Sequence, residues 1–329
     1  TKLAAGLEII ILCLGCNVNR HMTVIIGTSG WSYDDWIGRF YPVDLATKRG
    51  DWFGYYAAYF KTVEINSTFY RPPNDFLVNS WIRKASHLKD FEFSVKMPQL
   101  ITHEALVKGE GERATTMAKS FEDMCVKPLA KEGLMGATLL QLSPYFKNEG
   151  DVPKHLASVL DALTCDQYDY AVEFRHRTWL DPSHREIVPE ALELLKARNV
   201  ANVIVDGPGS PVTNEETADH GYVRFHGRNY DIWFADEKEG DERINRYDYL
   251  YKEEQLRPWV PRIKEAEKRT EKVRIYMNNH GHAKSAKNAF MLMDLLNIEH
   301  PEKAMQIQDQ MKLAGFGNGV SAARRRHTF

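Results

Sequence analysis

A chain of 329 residues, 43% hydrophobic and 27% charged, has the composition of an ordinary globular protein and is long enough for two average domains or one α/β barrel. Its formal net charge of −2 gives no global basic field of the kind that announces nucleic acid. Of its four cysteines, Cys13-x-x-Cys16 has no second pair and no strand–helix context, so the chain reads as cytoplasmic and reduced, without a cysteine metal site.

Residues 1–21 read as an extension ahead of a natural start at Met22. The apolar run Ile9 to Leu14 is too short for a membrane span and follows Glu8, which does not suit a signal peptide. The spacing then predicts eight strands in order: Val24–Thr28, Thr62–Asn66, Phe91–Met97, Ala137–Leu142, Asp169–Phe174, Ala201–Asp206, Tyr222–His226 and Val273–Asn278. Amphipathic helices are expected between them at Asp51–Phe60, Asn74–Ser86, Arg113–Lys131, Pro153–Leu163, Arg185–Arg198, Glu253–Arg269 and Ala283–Leu296. Asn74 and Asp51 are candidate N-caps, and Pro153 suits a first helical turn. Alternating strands and helices call for parallel strands joined by right-handed crossovers, and eight of them can close into one TIM-like (β/α)8 barrel spanning residues 22–300. Residues 301–329 are expected to form a C-terminal helix or tail, with Arg324-Arg325-Arg326-His327 solvated at its end.

Four strands share a further pattern. Glu64 and Asn66 fall on one face of their strand, Ser94 and Lys96 on one face of theirs, Glu173 and Arg175 on another, and Arg224 and His226 on a fourth. Strand side chains alternate with period two, so Val63, Val95, Val172 and Val223 face the helices while the polar residues face inward. In a barrel, the site lies at the C-terminal ends of the strands. The inward polar set expected there is Glu64, Asn66, Lys96, Gln141, Glu173, Arg175, Asp206, Arg224, His226 and Asn278. Glu64 and Glu173 are the acid/base candidates, with Lys96 lowering one pKa and an apolar setting raising the other. The competing reading is a structural ion-pair network.

Two long loops should stand at the same end. Ser29–Gly50 carries Trp31, Tyr33, Trp36, Phe40 and Tyr41, and Gly227–Lys252 carries Tyr230, Trp233, Phe234, Tyr247, Tyr249 and Tyr251. Such rings stack on sugars or bases, or else pack over helices. The segment Asn278-Asn279-His280-Gly281-His282 leaves the last strand and enters the last helix, a usual place for anions. Arg224, Arg228 and His280 would add positive charge to it. No cofactor is expected. A metal held by His226, His280, His282 and a carboxylate has no diagnostic spacing behind it. Thr102-His103-Glu104 is a further mouth element or a simple cap.

Six ordered blocks carry a resemblance. They are Gly27-Thr-Ser-Gly-Trp-Ser-Tyr33, Val63-Glu-Ile-Asn-Ser-Thr-Phe-Tyr70, Phe93-Ser-Val-Lys-Met-Pro98 with Ile101-Thr-His103, Val172-Glu-Phe-Arg-His176, Arg224-Phe-His-Gly227 and Asn278-Asn-His280. Together they resemble the signature of the domain-of-unknown-function 72 (YecE-like) family over roughly Val24 to Ile298. The resemblance implies a TIM-barrel-like fold and no established reaction. It departs from the family pattern at Ala283, where glycine is usual. The residues themselves favour an enzyme with acid/base or hydrolytic chemistry on a small anionic or sugar-like molecule, a sugar phosphate or a nucleic-acid phosphodiester, and no membrane partner. The alternatives are a binding or sensing protein and a glycosidase-like hydrolase of uncharged sugars.

Overall fold

In the computed structural model of the protein, which describes residues 23–183, 186–209, 215–233 and 246–305, β1 (Thr23–Ser29) pairs in parallel with both β2 (Thr62–Ile65) and β8 (Lys272–Met277). That double pairing closes the sheet. The remaining strands are β3 (Glu92–Lys96), β4 (Met135–Gln141), β5 (Asp169–Glu173), β6 (Ala201–Asp206) and β7 (His220–Phe225), each beside its sequence neighbours in one parallel barrel. The extension before Met22, the Cys13–Cys16 pair, Phe234 and the Arg324–His327 cluster lie outside the described residues.

The helices are α1 (Trp52–Ala57), α2 (Ser67–Tyr70), α3 (Asp75–Ala85), α4 (Gly111–Phe121), α5 (Lys127–Lys131), α6 (Val152–Ala162), α7 (Pro189–Lys196), α8 (Glu253–Leu256), α9 (Trp259–Arg269) and α10 (Lys284–Leu296). Asn74 caps α3 by accepting from the Leu77 amide at 3.0 Å, whereas the Asp51 side chain makes no cap at α1. Several expected helices are shorter or divided. The Arg113–Lys131 segment passes through a π-helical turn, Glu122–Val126, between α4 and α5. Glu253–Arg269 breaks into α8 and α9 at Pro258, which becomes the N-cap of α9. The helix expected from Arg185 begins only at Pro189, because Val188 before it is held extended.

Two apolar layers result. Val63, Val95, Val172 and Val223 pack outward with the helices, in the same cluster as Phe53, Phe93 and Leu140. Ala137, Leu139, Ala171, Ala201, Val203, Val205, Tyr222 and Tyr276 fill the barrel interior. The period-two assignment of faces therefore holds for these strands. On β4 the register depends on an irregularity. Phe93 pairs with Met135 but Val95 with Thr138, so β4 carries one extra residue. The Ala137 amide is diverted to Ser94 Oγ at 2.9 Å, and a Cβ on Gly136 would stand 2.8 Å from that same oxygen. Only glycine fits there, and the shift turns Ala137, Leu139 and Gln141 inward.

At the N-terminal end the interior is closed by charge. Arg274 on β8 donates to Glu92 of β3 at 2.6 Å and to Asp169 of β5 at 2.7 Å. No helix among the described residues is long and apolar enough to cross a membrane.

Candidate active site

Arg224 is the centre of the mouth. It lies on the inner face of β7, 1% exposed, and its guanidinium reaches across the barrel to two strands. Nη1 donates to Glu173 Oε2 at 2.5 Å, and Nη2 donates to Glu64 Oε1 at 2.8 Å. Each carboxylate has further partners. Glu64 also accepts from Ser29 Oγ and from Tyr222 OH, both at 2.7 Å. Glu173 accepts from Gln141 Nε2 at 2.6 Å, and His226 Nε2 stands 3.4 Å away. Burial alone would raise the Glu173 carboxyl, but Arg224, His226 and Arg175 together hold it well below the usual carboxylate range. The expected division, one carboxyl lowered and its partner raised, thus gives no raised acid at Glu173. A buried, fully paired carboxylate is a frame member before it is a proton donor.

Lys96 stands apart from this frame. It ends β3, 8% exposed, and Thr68 Oγ1 fixes its carbonyl at 2.6 Å. Its Nζ lies 3.8 Å from the centroid of the Phe69 ring, and no carboxylate is in ion-pair range among the described residues. Burial first, then Arg224, lowers its pKa from 10.5 to about 7. His103 meets the same ring edge-on at 4.9 Å, and burial together with Lys96 lowers its pKa to about 4. Arg175, partly exposed, keeps its Nε 3.9 Å from Glu173.

His226 and Asn278 belong to the frame. Asn278 Nδ2 and His226 Nδ1 are 2.8 Å apart, which directs Nε2–H toward Glu173 when the amide donates. Burial lowers the His226 pKa, with Glu173 acting in the opposite direction. Among the described residues, the polar atoms buried without a partner at this end include Arg224 Nε, Asn66 Oδ1 and Asn279 Oδ1. Asn66 itself has left the strand and starts α2.

Other expected residues lie elsewhere. Asp206 shares the outward parity of Ile204, so it points at the helices and not into the mouth. There it accepts from Arg228 at 2.8 and 2.5 Å, from Tyr251 OH at 2.8 Å and from Trp259 Nε1 at 2.9 Å. Asn279 turns to the Tyr249 carbonyl (2.7 Å) and Asn288 (2.8 Å), tying the strand end to α10. Trp31 packs against Phe53 and Phe93 on the helix side, and Trp36, Phe40 and Tyr41 are fully buried beside α1. Most of the first loop's rings are therefore outer core.

The anion site expected at the start of the last helix is filled by the chain itself. Asp35 Oδ2 accepts from the His282 amide at 2.6 Å, and Asp248 Oδ1 pairs with Lys284 at 2.8 Å and His282 at 3.0 Å. Arg224 and Arg228, counted as surplus charge, are neutralised by Glu64, Glu173 and Asp206. The histidines proposed for a metal do not converge either. His280 is stacked between Tyr33 (4.6 Å, 3°) and Tyr247 (5.3 Å, 26°), and His282 faces Asp248. Among the described residues the histidine–carboxylate group with ligand-like spacing is Asp169, Asp219 and His220, at the opposite end of the barrel.

Sequence reasoning missed Tyr222 and Ser29, the remaining donors to Glu64. Tyr222 shares the parity of Arg224, so the same alternation would have found it. Trp233 and Tyr247, two rings of the second loop expected at this end, stand 5.9 and 6.5 Å from the His226 ring.

The structure thus defines an eight-stranded parallel α/β barrel whose C-terminal mouth is braced by a buried carboxylate–arginine–carboxylate bridge. A family model described as "Protein of unknown function DUF72" matches residues 25–312, and the chain belongs to that family. It is 26% identical over 285 residues to the UPF0759 protein YunF of Bacillus subtilis (strain 168), spanning 84% of this chain and 96% of that one. A DUF72 family protein from Thermotoga maritima has a similar structure, with TM-score 0.71 and 33% identity, over 84% of this chain and 99% of that one. A DUF72 family protein from Enterococcus faecalis V583 shares the fold at TM-score 0.68 and 22% identity, over 87% of this chain and all of that one.

Proposed function

We propose that the chain is an enzyme that performs acid–base chemistry on a small polar anion at the C-terminal mouth, with Lys96 as the proton carrier. The observation that carries this is the state of Lys96: a buried amine seated on Phe69 with no carboxylate partner among the described residues, its pKa lowered to about 7 by burial and by Arg224. General acid–base catalysis is most effective when the group titrates near the working pH. Glu64, Glu173 and Arg224 form the frame that holds the mouth, which moves the proton-handling role away from the two glutamates. Arg175 is partly exposed and faces the mouth at arm's length from Glu173. With Lys96 protonated it makes the mouth attractive to a phosphate or carboxylate. The unpartnered Arg224 Nε and Asn66 Oδ1 add a donor and an acceptor for a polar ligand.

The test is an activity screen by mass spectrometry. Parent and Lys96→Met are incubated with a mixture of sugar phosphates, short oligonucleotides and small organic acids. The expected result is conversion of an anionic compound by the parent, lost by at least ~100-fold in the variant. Equal turnover by both proteins would overturn the reading, as would conversion of uncharged sugars alone.

A further inference from the structure

Lys96 differs from the other charged groups of the mouth in what surrounds its nitrogen. Glu64, Glu173 and Arg224 pair with one another, while Lys96 Nζ rests on the face of Phe69. The charges that bear on it are Arg224 and Arg175, which oppose its protonation, and Glu64 and Glu173, which favour it, with neither of these carboxylates in ion-pair range. His103 shares the Phe69 ring with it, and Thr102 Oγ1 stands 2.9 Å from His103 Nδ1. When that hydroxyl donates, the imidazole keeps its proton on Nε2. A lysine in an apolar seat beside a cation is the arrangement that makes an amine a nucleophile. The seat is also rigid, since the Lys96 carbonyl is held by Thr68 and the strand register is set by the irregularity at Gly136.

We propose that Lys96 is a covalent nucleophile whose amine forms a Schiff base with a small carbonyl compound bearing a carboxylate or phosphate, the anion lying against Arg175. The proposal rests on the reading of the mouth as a site for an anionic substrate. In the step, the Nζ lone pair attacks the carbonyl carbon and the C=O π pair moves to oxygen. The oxygen leaves as water, taking one of the two amine protons and one proton from solvent relayed by His103. The nitrogen keeps its other proton as a protonated imine. No oxidant or reductant is needed, and addition of water reverses the step. The imine then draws electrons from the neighbouring carbon, which is the use an enzyme would make of it.

The experiment is reductive trapping on the full chain. The probes are pyruvate and dihydroxyacetone phosphate, each with sodium cyanoborohydride, followed by intact-mass and peptide mass spectrometry. One reduced adduct per chain is expected, mapped to Lys96. It should form roughly a thousandfold faster at pH 7 than on exposed lysines, whose amines are almost wholly protonated there. Its rate should reach half its maximum near pH 7, and Lys96→Arg should abolish it while the circular dichroism spectrum is unchanged. Labelling spread evenly over surface lysines would reject the covalent step. If calorimetry shows a probe bound and Lys96 unlabelled, the Schiff base is wrong and the anion-binding mouth stands. If neither probe nor inorganic phosphate binds and no label appears, both readings fall.

Discussion

Replacing Arg224 by Met removes the charged fork and keeps much of the stem, so it isolates the bridge from the packing. In the parent, the guanidinium meets Glu64 at 2.8 Å and Glu173 at 2.5 Å, and all three residues are at most 2% exposed. The variant leaves two carboxylates facing each other in the barrel interior. Glu64 retains Ser29 and Tyr222, and Glu173 retains Gln141 and His226, so neither is stripped bare. Breaking one buried pair costs about 3–5 kcal/mol. Two pairs do not double that, because one carboxylate takes up a proton and ends the repulsion. The expected loss at pH 7 is therefore about 4–6 kcal/mol, measured by equilibrium urea unfolding with an unchanged m-value. The pH dependence supplies a second check. Glu173 is held well below its unfolded value in the parent, so its contribution is complete above the ordinary carboxyl range and is lost progressively as pH falls from that range toward the lowered folded value. The deficit of Arg224→Met should accordingly be largest near neutrality and shrink on acidification below about pH 5. A deficit under about 1 kcal/mol at pH 7, or one of constant size down to about pH 3, would refute the bridge as a stabilising brace.

The other expectations concern single sites. Lys96 is deprotonated above about pH 7 when folded, whereas the unfolded chain keeps it charged to about pH 10. The unfolded state therefore binds more protons in that window, and the parent should gain about 3–5 kcal/mol relative to Lys96→Met between pH 7 and 10; parallel stability curves would contradict this. Asp206→Ala should cost about 3 kcal/mol by the same unfolding assay, since four donor contacts converge on that carboxylate, yet leave anion binding at the mouth intact by calorimetry. Ala283 has φ +60°. Ala283→Gly relieves about 1–2 kcal/mol of left-handed strain and loses about 0.8 kcal/mol of methyl burial, so its melting temperature should hold or rise slightly; a drop of several degrees would show that the turn is not strained.

The barrel was legible because two independent periods agreed, the alternation within strands and the alternation of strands with helices. Facing was legible where one side of a strand is polar and the other apolar, as at Glu64–Ile65 and Arg224–Phe225. It failed at Asp206 because β6 is buried on both sides. Ala201, Val203 and Val205 look as apolar as Ile204, so the pattern does not say which face is inner. Charge partners were legible only as a competing ion-pair network, not as particular pairs. Sequence counts Arg224 and Arg228 as available cations, and only the fold shows that each already has its carboxylates. The loop rings failed for a related reason: composition says that Trp36, Phe40 and Tyr41 are aromatic, not which surface they cover. The Ala283 departure was visible as a missing glycine, and its backbone angle explains why glycine would suit the position.

The bridge also bears on how the chain can be divided. Glu64 and Arg224 are 160 positions apart, on opposite halves of the sequence. A fragment ending after β4 would hold Glu64 and Lys96 with no arginine between them, and one starting at β5 would hold Arg224 with Glu173 alone. Each half would then keep an incomplete set of charges in what must become its interior, so neither is a comfortable resting place during folding. The brace rewards only the closed ring. It makes β2 and β7 report to each other, and it penalises half-barrels, open sheets and exchanged halves between two chains that misplace one member. Late, long-range closure of this kind slows folding and raises the barrier to opening, which gives the barrel persistence beyond what its apolar layers supply.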